Sequence, residues 1–144
     1  MVPSLLALCA VFLVGCQSAK QPGSMSHASA SIQGRSVPEI QQITTEVFLE
    51  AGYALTRSSP WEMVFERPGS LWDAAKWDSW MGEGVTMRVK VRLNQAPDGP
   101  LLLQADAYAV QNSENPFFRT ESRNLLLSRR PYRKLLDEVV RRLK

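Results

Sequence analysis

The stretch from Val85 to Leu93 limits the possible folds of this chain more than any other, because apolar and polar residues alternate through it without interruption. Five apolar residues fall on one side of an extended chain, and four polar residues fall on the other: Thr86, Arg88, Lys90 and Arg92. This pattern is typical of a half-buried strand in an antiparallel sheet. Another part of the chain must therefore cover the apolar side.

Two amphipathic helices flank the strand-like part of the chain and can supply that cover. Ser36 and Glu39 have the spacing of a capping box, and apolar residues then recur at helical spacing as far as Ala51. This pattern predicts a helix over 38–51, with Gly52 as its C-cap. A second helix is predicted where Pro131 precedes an apolar stripe at i, i+3, i+4, i+7, i+8 and i+11: Tyr132, Leu135, Leu136, Val139, Val140 and Leu143.

Three further segments have the character of strands, at 53–57, 61–67 and 101–110. The predicted order is helix, four antiparallel strands, helix. The fold class that follows is α+β: a two-layer sandwich in which a four-stranded antiparallel sheet has the N- and C-terminal helices on one face. About 109 residues, 36–144, form this single domain, which is enough for one core.

The first sixteen residues are an unbroken run of apolar and small residues that ends at Leu13-Val14-Gly15-Cys16. The uncharged part has the length of a signal-peptide core, whereas a membrane-spanning helix needs about 20 apolar residues. The final tetrapeptide resembles the lipobox of bacterial lipoproteins. Residues 1–15 contain no Lys or Arg, which departs from the usual signal peptide. The alternatives are an ordinary secretory signal or a short buried helix.

The lipoprotein resemblance implies that residues 1–15 are a removed signal peptide and that Cys16 carries the lipid, a diacylglyceryl group with fatty acyl chains such as palmitate. The protein would then be anchored in the cell envelope. In a Gram-negative host, Gln17 resembles the residue that follows the lipidated cysteine in lipoproteins sorted to the outer membrane. The domain would then face the periplasm. Cys9 is removed with the signal, and the mature domain has no thiol or disulfide.

Residues 16–35 are predicted to be the lipidated cysteine and a flexible linker, because Gln, Ser, Ala and Gly dominate them. His27, the only histidine of the chain, lies in this segment, and we expect it to be a solvated spacer. The order of elements that follows resembles the α-β4-α modules of small envelope lipoproteins, such as the barrel-assembly accessory lipoproteins. That likeness concerns order alone, and it implies no functional residue besides Cys16.

The first candidate binding site is the loop from Pro68 to Gly84, which contains three of the four tryptophans: Trp72, Trp77 and Trp80. Long loops in compact domains often bind ligands, and Trp suits sugar rings, acyl chains and protein partners. The alternative is that these side chains cover the sheet edge or fill the core, and the frequent burial of Trp favours it.

The second candidate is the basic C-terminal region, where Arg119–Lys144 contains nine Lys or Arg against three acids. Arg129, Arg130 and Arg133 cluster with Lys134 at the start of the last helix. Such clusters bind phosphate-rich surfaces, including anionic lipid headgroups. The alternative is a solvated helix face. Nucleic acid is not an expected partner of an exported protein.

The third candidate is the polar side of the Val85–Leu93 strand. Glu62 and Glu66 are expected on a neighbouring strand, where cross-strand ion pairs would account for the charges. If no helix covers this side of the sheet, it is the natural docking surface for a partner.

Catalytic sites are not predicted. Because the mature domain has no Cys and its only His is assigned to the linker, the usual Cys-His and Ser-His-Asp sites are excluded. No metal site or cofactor is expected, and Asp73 and Asp78 do not have the arrangement of a glycosidase pair. The sequence therefore favours a non-catalytic envelope lipoprotein that is a binding or assembly module for a protein partner. The alternative is a ligand-binding or hydrolytic module that acts on cell-envelope glycan or lipid.

Overall fold

The structure is a computed structural model that describes residues 26–69, 85–111, 120–123 and 129–144. It is an α+β fold with an antiparallel sheet and two helices, as predicted. The elements in chain order are β1 (Ala28–Ile32), α1 (Val37–Glu50), β2 (Ala54–Ser59), β3 (Glu62–Pro68), β4 (Thr86–Gln95), β5 (Leu101–Gln111), β6 (Thr120–Arg123) and α2 (Arg130–Arg142).

The sheet has the strand order β1-β5-β4-β3-β2, and β6 also pairs with β5. All of these pairs are antiparallel. The predicted number of four strands is wrong, because β1 and β6 both add to the edge of β5. The four predicted strands correspond to β2, β3, β4 and β5, and β4 lies between β3 and β5.

One buried core joins the sheet to both helices. Met87, Val89, Val91 and Leu93 of β4 are buried, as the alternation of this strand predicts. They belong to the same buried cluster as residues of both helices: Ile40, Val47 and Phe48 of α1, and Tyr132, Leu136 and Val139 of α2. The ring of Phe48 stacks on that of Phe65 in β3, with the centroids 4.4 Å apart. This contact ties α1 to the sheet.

The ends of α1 follow from local signals. The Ser36 hydroxyl accepts a hydrogen bond from the backbone amide of Glu39 at 3.4 Å. The Glu39 side chain does not complete the capping box but pairs with Arg35 at 2.8 Å. At the other end, Gly52 has a φ of 85°, and the amide of Tyr53 donates to the carbonyl of Phe48. This is a Schellman motif, which favours glycine at the left-handed position.

The edge strand β1 lies where the prediction placed a flexible linker. It pairs with β5 from Ala28↔Ala105 to Ile32↔Leu101, and both Ala28 and Ile32 are buried. The composition of β1 resembles that of a linker, because its Ala and Ser residues offer little apolar surface. Its two buried ends, Ala28 and Ile32, owe their burial to long-range packing against β5 and α2, which no local pattern reveals.

His27 is also part of the fold, so its prediction as a solvated spacer is wrong. The residue is 5% exposed, and its Nδ1 accepts a hydrogen bond from the backbone amide of Ala107 at 3.2 Å. The imidazole also meets the ring of Tyr132 edge-on, at 5.9 Å between centroids. Residues 26–32 are therefore joined to β5 and to the first turns of α2.

Candidate functional site

The side of the sheet opposite the core carries a set of charged residues that we call the polar face. It is formed by Glu66 on β3, by Arg88, Lys90 and Arg92 on β4, by Asp106 and Tyr108 on β5, and by Glu121 on β6. The registers explain how they meet, since Arg88 lies opposite Glu66 on one neighbouring strand and opposite Tyr108 on the other.

Arg88 is at the centre of the polar face, and its side chain is only 11% exposed. Its Nε donates to Oε1 of Glu66 at 2.6 Å, and its Nη1 donates to Oε2 of Glu121 at 3.1 Å. A guanidinium with so little exposure needs carboxylate partners, because removing its charge from water is costly. Arg88 thus joins three strands and is held in one orientation.

Two further cations of β4 also pair with carboxylates of the polar face. Lys90 Nζ lies 2.8 Å from Oε1 of Glu121 and 4.4 Å from the centroid of the Tyr108 ring, which is a cation–π contact. Arg92 Nη2 donates to Oδ2 of Asp106 at 2.6 Å. The Asp106 side chain is 5% exposed and that of Arg92 is 45% exposed. The buried carboxylate is therefore neutralised by a cation that itself reaches solvent.

An open depression of about 530 Å³ lies on the polar face. Its lining residues come from β2, β3, β4 and β6: Thr56, Arg57, Val64, Glu66, Arg88, Lys90 and Glu121. Neither helix contributes to this lining. Three cations and two carboxylates share the depression, so it is densely charged but nearly balanced.

The prediction that Glu62 and Glu66 lie beside the cations of β4 is confirmed by the register, in which Glu66 is opposite Arg88 and Glu62 is opposite Arg92. Glu66 forms the expected ion pair, but Glu62 instead pairs with Arg57 at 2.6 Å. Asp106 was missed, although it falls on the polar phase of the alternation in β5. Glu121 was missed because the four-residue β6 is too short to show a pattern.

The basic residues predicted to bind phosphate lie at the start of α2. Arg129, Arg130 and Arg133 are exposed, as is Lys134. None of these four side chains forms an ion pair within the described parts of the chain. They are therefore an uncompensated positive patch, in contrast with the paired cations of the polar face.

The other end of α2 is tied to α1 by ion pairs. Arg142 contacts Glu50 of α1 at 2.5 Å and Glu138 at 2.8 Å, and Arg141 also contacts Glu138 at 2.5 Å. The hydrogen bonds from Arg141 and Arg142 lower the pKa of Glu138 to about 2. The hydrogen bond from Arg142 likewise lowers the pKa of Glu50. These contacts bind the two helices together and do not resemble a ligand site.

Several predicted residues lie outside the described residues, namely Cys16 and the three tryptophans of the loop: Trp72, Trp77 and Trp80. Their roles stay predictions. Within the described ranges, no helix has the length and apolar character needed to span a membrane. The same ranges contain no group of three or more His, Cys, Asp or Glu side chains that could hold a metal ion.

A scan of protein-family models gave no match to this chain, and a search of curated proteins gave none either.

Proposed function

We propose that the protein is a membrane-anchored lipoprotein of the cell envelope that binds a protein partner and catalyses no reaction. The support for the anchor is the tetrapeptide Leu13-Val14-Gly15-Cys16 at the end of an uncharged apolar run. In a Gram-negative host, the proposed location is the outer membrane, with the domain in the periplasm.

The proposed partner site is the polar face. We propose that both helices cover the opposite side of the sheet, because their buried residues share one cluster with Met87 and Val89 of β4. The polar face is then left for a partner. A surface of this kind selects partners by charge, since a complementary arrangement of acids and bases is attracted and a mismatched one is repelled.

The observation that carries the proposal is the position of Arg88 between Glu66 and Glu121, at the floor of an open depression. The two carboxylates fix the guanidinium before any partner arrives. A fixed set of charges loses little conformational freedom on binding, which favours affinity. Arg57 stands at the rim, and its side chain is 67% exposed, so it is the most accessible cation of the depression.

The test is chemical cross-linking in intact cells, followed by purification of the full chain from membranes and mass spectrometry. We expect one stoichiometric companion with the wild type. We expect the variant Arg57→Glu to lose it, because the charge at the rim is reversed. The matched control is Lys144→Glu, which reverses an exposed cation outside the depression. Equal thermal unfolding temperatures would show that both variants fold.

Two outcomes would overturn the proposed partner site. One is the absence of any stoichiometric companion. The other is a companion that is retained by Arg57→Glu as fully as by Lys144→Glu.

The depression also favours a second candidate function, a module that binds cell-envelope glycan or lipid, because its volume of about 530 Å³ is in the range of small-molecule sites. A hydrolytic role is less well supported, since Arg88 engages both Glu66 and Glu121. Saturable stabilisation of the full chain by envelope glycan fragments, abolished by Arg57→Glu, would favour this candidate over the protein partner.

A further inference from the structure

The exposed side of α2 is a basic face along much of the helix. Positions 130, 133, 134, 137 and 141 fall within an arc of about 100° when a turn has 3.6 residues. All five are exposed, and four are cations: Arg130, Arg133, Lys134 and Arg141, with Asp137 as the exception. Arg129 precedes the helix and is also exposed. The opposite side of the helix is packed in the core.

The positive charge of this basic face is largely uncompensated. Arg141 pairs with Glu138, but Arg129, Arg130, Arg133 and Lys134 have no ion pair with the rest of the described chain. Stability of the helix does not account for them, because cations are unfavourable near the positive end of a helix dipole. Contact with an anionic surface would account for these cations.

The chain enters the fold beside this same end of α2. The ring of His27 contacts that of Tyr132 in the first turns of the helix. At the far end, Arg35 donates to the carbonyl of Lys144 at 3.3 Å. The segment from His27 to Arg35, which contains β1, therefore runs alongside α2 in the same direction. Any tether that precedes Ser26 therefore starts at the same end of α2 as Arg129, Arg130 and Arg133, on the packed side of the helix where Tyr132 lies.

The distance from the proposed anchor is limited by covalent geometry. Ten peptide steps separate Cys16 from Ser26, and a fully extended chain spans at most about 3.6 Å per residue, or roughly 36 Å in total. A lipid on Cys16 would therefore keep the start of α2 within a few tens of ångströms of the headgroups. At such a short tether length, even a weak contact is favoured by the high local concentration.

We propose that the basic face of α2 is a second membrane contact, which binds the anionic phosphates of lipid headgroups in the membrane that holds the Cys16 lipid. This inference rests on the proposed lipid anchor. Cations near an anionic leaflet are attracted to it, and a basic patch is a known second signal beside a lipid chain. The domain then lies with α2 towards the bilayer, and the polar face is turned away from it.

The test measures how fast the amine of Lys134 reacts with an acetylating reagent, with Lys144 at the other end of α2 as the internal reference. The full lipidated chain is purified from membranes and reconstituted into phosphatidylcholine vesicles with or without phosphatidylglycerol. In vesicles that contain phosphatidylglycerol, we expect Lys134 to react at least about fivefold more slowly than in vesicles of phosphatidylcholine alone. The protection should disappear at about 1 M salt, where the Debye length falls to about 3 Å.

Two variants of equal net charge distinguish an effect of the basic face from an effect of the net charge of the protein. Arg130→Gln with Arg133→Gln should abolish the protection of Lys134, since each cation near the surface contributes about a fivefold attraction. Arg57→Glu changes the net charge by the same amount away from α2 and should leave the protection intact. Equal labelling of Lys134 in both kinds of vesicle would overturn the inference, and so would protection that resists salt.

The failure of this inference is distinguishable from failure of the anchor. A chain that floats with the vesicles and is acylated at Cys16, but shows no protection of Lys134, overturns the membrane contact alone. A chain that carries no lipid overturns both.

Discussion

His27 Nδ1 accepts a hydrogen bond from the backbone amide of Ala107 at 3.2 Å, at a gap in the pairing of β5. The strand β1 pairs with β5 at residues 101–105, and β6 pairs with it at residues 108–111. The histidine therefore occupies the gap between the two strands that pair with this edge of β5. It also brings the incoming chain against Tyr132 of α2.

Replacing His27 by alanine should destabilise the domain by about 1–3 kcal/mol, because the amide of Ala107 would lose its acceptor in a buried place. The variant His27→Asn is the control, since its side-chain oxygen can accept the same hydrogen bond, and we expect it to lose less. Urea unfolding followed by far-UV circular dichroism measures both. A His27→Ala variant as stable as the wild type would show that this contact does not hold β1 in place.

The range of α1 could be predicted closely and that of β1 could not, for physical reasons. The predicted range of α1, 38–51, differs from Val37–Glu50 by one residue at each end, because capping and helical periodicity are local properties of the sequence. The burial of β1 depends on Ala105 and on α2, which are distant in sequence, so its Ala and Ser residues looked like a linker.

The same distinction applies to the candidate site. The polar side of β4 could be predicted, since a strand with period 2 shows its two faces in its own sequence. The partner of Glu62 could not be predicted. Two cations, Arg57 and Arg92, lie near its carboxylate, and the register alone does not decide which of them it contacts. Glu121 reaches Arg88 and Lys90 across the sheet, and only the pairing of β6 with β5 brings it there.

Replacing Arg88 by methionine should cost about 1–3 kcal/mol, because Glu66 and Glu121 would lose the part-buried cation that they share, although Glu121 would keep its contact with Lys90. The control is Arg57→Met, which removes an exposed ion pair with Glu62 and should cost about 0–1 kcal/mol. Chemical denaturation of both variants gives the comparison. If the two substitutions cost the same, Arg88 does not organise the polar face.

The stability of the domain should fall in acid, because the ion pairs of α2 lose their carboxylate charge. The pKa of Glu138 is lowered from 4.5 to about 2 by Arg141 and Arg142, so its contribution is complete above pH 4.5 and is lost as the pH falls towards 2. Glu138→Gln lacks this contribution at every pH. We therefore expect its melting temperature to be lower than that of the wild type at pH 7 and to approach the wild-type value near pH 2. Parallel melting curves across this interval would contradict the assignment.

Gly52 should be the most favourable residue at its position, because its φ of 85° is strained for residues with a side chain. A Cβ there would meet no atom within 4 Å, so any loss measures backbone strain alone. We expect Gly52→Ala to cost about 1 kcal/mol and Gly52→Asn to cost less, since Asn tolerates left-handed backbone better. Thermal unfolding measures both, and an Ala variant of wild-type stability would contradict the Schellman end of α1.

The proposed anchor at Cys16 is tested most directly by the intact mass of the full chain purified from cell membranes, with Cys16→Ser as the comparison. We expect a wild-type chain that begins at residue 16, carries the mass of the lipid there and stays in the membrane fraction, whereas the variant is not acylated. A wild-type chain without lipid at Cys16, recovered in the soluble fraction, would overturn the proposed anchor.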